Sequence, residues 1–190
     1  MIAYDLIGQT PSVLLENFSD ENVKIYAKLE QFNPGGSIKD RLGKYLIEKA
    51  IDEGRLKEGD TIVEATAGNT GIGLAIASNR HKVKCIIFAP EGFAEEKISI
   101  MKALGADVRR TPKAEGMTGA QQEALAYATR YGYLYMNQFE TKDNPGAYTQ
   151  TLAKQLTDEL SHIDYFVAGV GSGGTFTGVE LHFKTYDVKY

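Results

Sequence analysis

A lysine at the start of a predicted helix is the most reactive side chain that the sequence places in a defined setting. Lys39 lies in the segment 33–41 (Asn-Pro-Gly-Gly-Ser-Ile-Lys-Asp-Arg), and apolar residues of helical period follow it up to Gly54. The positive end of a helix dipole disfavours an ammonium group, so a lysine there is more easily a neutral amine. A neutral amine can attack an aldehyde and form an imine. A solvated turn lysine is the alternative, so the hypothesis depends on the loops that accompany Lys39.

The second candidate segment joins a predicted strand to a predicted helix. Its residues are Thr66, Ala67, Gly68, Asn69 and Thr70. Small residues let backbone N–H groups converge on one point, and two threonine hydroxyls add donors, so the loop could bind a carboxylate. The amide of Asn69 could hydrogen-bond a ring hydroxyl. An ordinary tight turn explains the same pattern without a ligand.

The third candidate segment is a glycine-rich turn after the apolar run from Tyr165 to Val170. Its candidate residues are Gly171, Ser172, Gly173, Gly174 and Thr175. Glycines allow close approach of the backbone, and the N–H groups with two hydroxyls could surround a phosphate. The glycines at 169, 171 and 174 also fit G-x-G-x-x-G, so a dinucleotide site is an alternative. The acidic residue that such a site needs about 20 residues further on would fall at or beyond the end of the chain.

Strands and helices alternate along the chain that carries these loops. Predicted strands lie at Thr61 to Ala65, Lys84 to Ala89, around Val108, Tyr133 to Met136 and Tyr165 to Val170. Predicted helices lie at Ile38 to Glu53, Gly71 to Asn79, about Glu95 to Leu104, Ala120 to Tyr131 and Tyr148 to Leu160. This alternation predicts an α/β fold with parallel strands and helices on both faces. Ligands bind at the carboxyl ends of such strands, where the candidate loops lie.

Composition excludes several classes of partner. The 190 residues carry a formal net charge of -4 with no block of basic residues, so we expect no nucleic-acid or membrane partner. The three histidines lie far apart without the spacing of metal ligands, so we expect no metal site. The single cysteine, Cys85, lies in an apolar run and is expected to be a buried thiol. A reducing cytoplasm is the expected location.

Together the three segments resemble the cysteine synthase and cystathionine β-synthase family, which are fold-type II pyridoxal 5'-phosphate (PLP) enzymes. The resemblance covers about Ile7 to Gly178. It implies that Lys39 forms the imine with the cofactor, that residues 66–70 bind the substrate carboxylate, and that residues 171–175 bind the cofactor phosphate. It also implies that Asn69 faces the ring oxygen of the cofactor. In the segment 137–139 (Asn-Gln-Phe), Gln138 is implied as a further contact to the substrate carboxylate.

The resemblance implies a two-lobed fold like that of the tryptophan synthase β-subunit, with three-layer parallel sheets covered by helices on both faces. Residues 1–41 and 146–190 would form the larger lobe, which is incomplete here, and residues 42–145 the smaller, mobile, substrate-binding lobe. The implied reaction is β-replacement on O-acetylserine or serine with sulfide or homocysteine, which gives cysteine or cystathionine. A homodimer is implied for the full-length family member. Ala67, where many cysteine synthases have serine, and the pair Gly35-Gly36 make the sequence look closest to the bacterial branch that uses O-acetylserine and homocysteine.

The resemblance ends after Gly178, because residues 179–190 match nothing in the family pattern. Family members are longer, so we expect an apparent truncation that weakens cofactor binding and turnover. Two alternatives remain. The chain could be a non-catalytic remnant or interaction module of the family, or a lyase similar to serine or threonine dehydratases.

Overall fold

The structure, a computed structural model, describes residues 1–184 and contains six strands and seven α-helices within that range. The strands are β1 (Ser12–Leu14), β2 (Tyr26–Lys28), β3 (Thr61–Ala65), β4 (Lys84–Pro90), β5 (Asp107–Thr111) and β6 (Leu134–Tyr135). The helices are α1 (Lys39–Asp52), α2 (Asn69–Arg80), α3 (Glu95–Ala103), α4 (Gly116–Tyr131), α5 (Asp143–Tyr148), α6 (Lys154–Glu159) and α7 (Gly174–Phe183). The alternation predicted from the sequence is therefore confirmed from α1 to β6.

Strands β3 to β6 form one parallel sheet in the order β5-β4-β3-β6. Apolar side chains on both faces are buried, because helices cover both. Val63 and Phe88 pack against α4 through Ala120 and Ala124, whereas Ile87 on the opposite face belongs to the core built with α1 and α2. The predicted α/β class, a parallel sheet between helices, is thus confirmed.

Helices α1 and α2 cross at two glycines. A Cβ on Gly43 would lie 2.3 Å from the backbone carbonyl carbon of Gly73, and a Cβ on Gly73 would lie 2.4 Å from the carbonyl oxygen of Lys39. Only hydrogen at both positions lets the backbones come this close. The crossing therefore sets how far Lys39 lies from the amino end of α2.

Arg41 holds the amino-terminal segment against α1. Its guanidinium is almost fully buried, pairs with Glu30 at 2.8 Å and donates to the carbonyl of Gly8 at 3.0 Å. It also donates to Thr10 at 2.9 Å and to Gln155 at 2.7 Å. Arg41 keeps the pKa of Glu30 below its ordinary value although burial of that carboxyl opposes the shift. This buried pair ties residues 8–30 to the helix that begins with Lys39.

The helix predicted from Tyr148 to Leu160 begins earlier than expected and is not regular. It starts with α5 at Asp143, continues as a π-helical turn over Thr149–Ala153 and ends with α6. The hydroxyl of Thr149 donates to the carbonyls of Pro145 and Gly178, which draws this turn toward α7. Proline is compatible with the first turn of a helix, so Pro145 does not mark a boundary here.

The predicted strand from Tyr165 to Val170 is wrong for the described residues. Only Tyr165 forms an isolated bridge, and Val167 is 91% exposed. An extended segment becomes a strand only beside another strand, and within residues 1–184 the four-stranded sheet does not include it. The unmatched segment 179–190 is helical as far as Phe183, and residues 185–190 lie outside the described residues. The proposed lobe boundaries stay a prediction.

Within residues 1–184, none of the helices combines the length and the apolarity that crossing a membrane requires.

Candidate active site

Lys39 is the first residue of α1, as the sequence predicted, and its side chain is half-buried. Its Nζ lies 3.4 Å from the hydroxyl of Ser172 and 3.4 Å from the hydroxyl of Tyr148. Burial lowers the pKa of the Lys39 ammonium, because removal from water disfavours the charged form. The next residue, Asp40, accepts a hydrogen bond from the backbone N–H of Gly35 and so closes the turn before the helix. The amine is therefore held in place with an increased neutral fraction.

The glycine-rich turn lies at the amino end of α7, beside Lys39. Gly173 has φ +82°, which favours glycine, and the helix begins with Gly174. A Cβ built on Gly171 or Gly173 would meet no described atom within 4 Å, so there is open space above the turn. The hydroxyl of Thr175 bonds to Tyr148, and burial raises the pKa of that phenol to about 12. The turn thus combines helix N–H groups, hydroxyls and space, which are the requirements of an anion site.

Residues 66–70 form the turn between β3 and α2, at the carboxyl end of the sheet. The hydroxyl of Thr66 accepts a hydrogen bond from the N–H of Gly68 at 3.1 Å, which fixes the turn from within. Asn69 is the first residue of α2 and is partly exposed, as are Ala67 and Gly68. The N–H groups of the first turn of a helix have no partner within the helix. The N–H of Gly71 already donates to the Gly68 carbonyl at 3.1 Å, so the N–H groups of Asn69 and Thr70 are the ones that could bind a small anion here.

Gln138 connects the 66–70 turn to the rest of the site. Its Oε1 accepts a hydrogen bond from the buried hydroxyl of Thr70 at 2.7 Å. Its backbone carbonyl accepts one from Nδ2 of Asn144 at 2.6 Å, and the same Nδ2 donates to the hydroxyl of Ser172 at 3.2 Å. Ser172 in turn lies against Lys39. The structure thus brings together all three segments that the sequence singled out, with Gln138 between them.

A buried carboxyl supports Gln138 from below. Glu64 in β3 is fully buried, and its two oxygens accept the backbone N–H groups of Ala65 at 2.8 Å and Gln138 at 3.1 Å. Burial raises the pKa of Glu64 to about 7, although these two hydrogen bonds oppose the shift. The strand therefore carries a weak acid that titrates near neutral pH beneath the site.

Sequence reasoning missed three residues of this site: Glu64, Asn144 and Tyr148. Glu64 left a signal, since it is the one acidic residue in an otherwise apolar and threonine-containing strand, directly before the 66–70 turn. Asn144 left a weaker one, because Asn-Pro dipeptides favour turns and this one follows Gln138 closely. Tyr148 gave no signal that separates it from a core residue. Its hydroxyl lies 3.4 Å from Nζ of Lys39, a residue 109 positions away in the sequence.

The residues present fit a molecule that has both an aldehyde and a phosphate. Lys39 supplies a poised amine, and Ser172 places that amine at the edge of the anion-binding turn. The turn is open because its glycines carry no side chain, so a phosphate can approach the helix N–H groups. The fold and site thus define an enzyme class that binds an aldehyde cofactor through a lysine and its phosphate through a glycine-rich turn.

The chain belongs to the family of pyridoxal-phosphate dependent enzymes, whose sequence profile matches residues 3–189. It is 49% identical over 183 residues to an O-acetylserine dependent cystathionine β-synthase of Bacillus subtilis and 48% identical over 186 residues to a cysteine synthase of Helicobacter pylori. Each match covers 95% of this chain and 60% of the relative. The family match favours the phosphate of this cofactor over a dinucleotide at the turn that begins with Gly169.

A solved structure shows the same fold. The crystal structure of an O-acetylserine dependent cystathionine β-synthase from Helicobacter pylori superposes with a TM-score of 0.91 at 44% identity. The match covers 99% of this chain and 65% of that chain. This chain therefore spans about 60% of the length of the curated relatives that it matches. The structural neighbours confirm the expected fold-type II architecture, of which this chain covers a part.

Proposed function

We propose that this chain contains the catalytic lysine and substrate site of a PLP-dependent enzyme of β-replacement. The substrates would be O-acetylserine or serine, with sulfide or homocysteine as the second substrate, and the product cysteine or cystathionine. The observation that carries the proposal is the hydrogen-bonded path from Thr70 through Gln138 and Asn144 to Ser172 and Lys39. It brings the proposed carboxylate-binding turn, the proposed phosphate-binding turn and the Lys39 amine close together.

We propose the following roles for the site residues, which the family match and the contacts among these residues support. Lys39 would bond the cofactor aldehyde, and Asn69 would hydrogen-bond its ring oxygen. The turn of Gly171, Ser172, Gly173, Gly174 and Thr175 would hold the phosphate. The substrate carboxylate would be bound by Thr66, Ala67, Gly68, Asn69 and Thr70 with Gln138. Because Oε1 of Gln138 already accepts the Thr70 hydroxyl, its Nε2 is the group that would donate to that carboxylate.

When bound, the cofactor would act as an electron sink for the carbon that loses its proton. Once the amino group of the substrate has displaced Lys39 from the cofactor, the freed Nζ, whose pKa is lowered by burial, would accept the α-proton as general base and later return it. The N–H groups at the start of α2 would hold the substrate carboxylate and so orient that α-proton. Closure of the smaller lobe, residues 42–145, would exclude water from the cleft.

One observation favours a second candidate, a chain that keeps the site but turns over little. Apolar side chains between Tyr165 and Val170 are exposed within the described residues, next to the phosphate-binding turn. A turn that follows an exposed segment opens locally more often, so it binds a ligand less tightly. The same exposed apolar surface supports our proposal that a longer family member pairs with a second copy.

The test is a product assay with the purified chain. PLP and either O-acetylserine or serine are supplied, alone or with sulfide or homocysteine, and cysteine, cystathionine and pyruvate are measured by mass spectrometry. We expect slow formation of one product that requires PLP. Product formation should be abolished in the Lys39→Ala variant. It should persist in the Lys24→Ala variant, which removes an exposed lysine. Product formation that survives Lys39→Ala would overturn the proposal, and release of pyruvate from serine without a thiol would favour the dehydratase-like alternative.

A further inference from the structure

Asn144 is hydrogen-bonded to residues on both sides of the candidate site. Its side chain is buried, and its Nδ2 bridges the carbonyl of Gln138 at 2.6 Å and the hydroxyl of Ser172 at 3.2 Å. Gln138 belongs to the carboxylate side of the cleft and Ser172 to the phosphate side. Among the hydrogen bonds of the described residues, this amide group forms the junction between the two sides.

The orientation of the Asn144 amide follows from its partners. The Gln138 carbonyl can only accept a hydrogen bond, so the nitrogen of Asn144 must face it. Each of the two hydrogens on Nδ2 then has one acceptor. The opposite orientation would set two oxygens against each other at 2.6 Å. The bridge is therefore specific for a group with two N–H donors at this point.

The oxygen end of the Asn144 amide leaves no room for a side chain at residue 174 of the phosphate-binding turn. The Oδ1 of Asn144 is buried without a hydrogen-bond partner in the described residues. It lies so close to Gly174 that a Cβ on this glycine would overlap it. Helix α7 can therefore begin at this place only because residue 174 lacks a side chain. Asn144 thus fixes the turn both by a hydrogen bond and by close contact.

We propose that Asn144 is a positioning residue that couples the carboxylate-binding segment to the phosphate-binding turn. It acts through Gln138 on one side and through Ser172 on the other. The inference rests on the proposed function, because it assigns a role within that same cleft. Its consequence is that loss of the Nδ2 donors loosens the turn at residues 172–174 and weakens phosphate binding while the sheet stays intact.

The first test requires no cofactor. The amide of Thr177 donates to the carbonyl of Gly173 and reports on the first turn of α7. Hydrogen exchange of this amide is measured for wild type, Asn144→Ala and Asn144→Asp, which keeps the shape but loses the donors. Asn79→Ala is the control, since it removes an asparagine that donates to a carbonyl far from the cleft. We expect exchange of the Thr177 amide to be about tenfold faster in both Asn144 variants, because each loses the equivalent of one net hydrogen bond. The exchange rates of the amides in strand β3 should not change.

The second test compares PLP with pyridoxal, which lacks the phosphate. Binding of each is measured by absorbance titration of the same four proteins. We expect the Asn144 variants to lose about tenfold in the ratio of PLP to pyridoxal affinity, whereas Asn79→Ala keeps the ratio. An unchanged ratio together with unchanged exchange at Thr177 would overturn the proposal, as would exchange that rises equally throughout the sheet. If wild type shows no preference for PLP, the proposed function fails, and the exchange experiment still decides the role of Asn144.

Discussion

Replacing Gly73 with alanine tests whether the crossing of α1 and α2 sets the position of Lys39. The added Cβ would lie 2.4 Å from the Lys39 carbonyl oxygen and 2.9 Å from its carbonyl carbon. Ordinary contact begins near 3.4 Å, so the helices must separate by about 1 Å, since backbone atoms cannot rotate away. Overpacking of this kind costs about 1 to 3 kcal/mol, and the better helix propensity of alanine offsets about 1 kcal/mol. We expect a net loss of up to about 2 kcal/mol in the free energy of unfolding.

The separation of α1 and α2 should reduce the catalytic rate by a larger factor than the loss of unfolding free energy alone would suggest. A misplacement of about 1 Å between a catalytic group and its substrate can reduce the rate about 100-fold. Gly73→Ala is compared with Asn79→Ala, a change in the same helix that adds no atom to the crossing. Denaturant unfolding measures the free energy of unfolding, and absorbance titration measures the affinity of Lys39 for PLP. Wild-type stability together with wild-type capture in Gly73→Ala would refute the role of the crossing.

Two further changes test the buried charges. Burial raises the pKa of Glu64 from 4.5 to about 7, so its contribution to stability is present below pH 4.5 and is lost as the pH rises through about 7. We expect the stability of Glu64→Gln relative to wild type to increase by roughly 3 kcal/mol between pH 4.5 and pH 8, and a difference that stays constant with pH would contradict this. Arg41→Ala should cost about 3 to 5 kcal/mol in denaturant unfolding because it leaves Glu30 without its cation, whereas the exposed Arg80→Ala should cost less than about 1 kcal/mol. Equal effects of the two arginine changes would show that the Arg41 network does not hold the amino-terminal segment.

The sheet could be predicted from the sequence because its signals are local. The strands β3 and β4 are short, apolar runs between turn residues, and β3 was predicted with the boundaries that the structure has. The three candidate segments were also visible, since glycines and hydroxyl residues after strands mark the carboxyl edge of a parallel sheet. Lys39 could be placed at the start of α1 for the same reason.

Glu64 was missed although its signal is local, whereas the other failures concern features that depend on distant residues. The run from Tyr165 to Val170 has the composition of a buried strand, but its state depends on neighbours that its own sequence does not specify. The π-helical turn begins at Thr149, whose hydroxyl donates to the Gly178 carbonyl far along the chain. Asn144 and Tyr148 became part of the site only through their distances to Ser172 and Lys39.

The central claim is that Lys39 forms the covalent bond with the cofactor. The most direct measurement is to mix the chain with PLP, reduce it with borohydride and map the modified peptide by mass spectrometry. We predict that the phosphopyridoxyl group is found on Lys39 at PLP concentrations that leave exposed lysines such as Lys24 unmodified. Label spread evenly over exposed lysines, with Lys39 unmodified, would contradict the account.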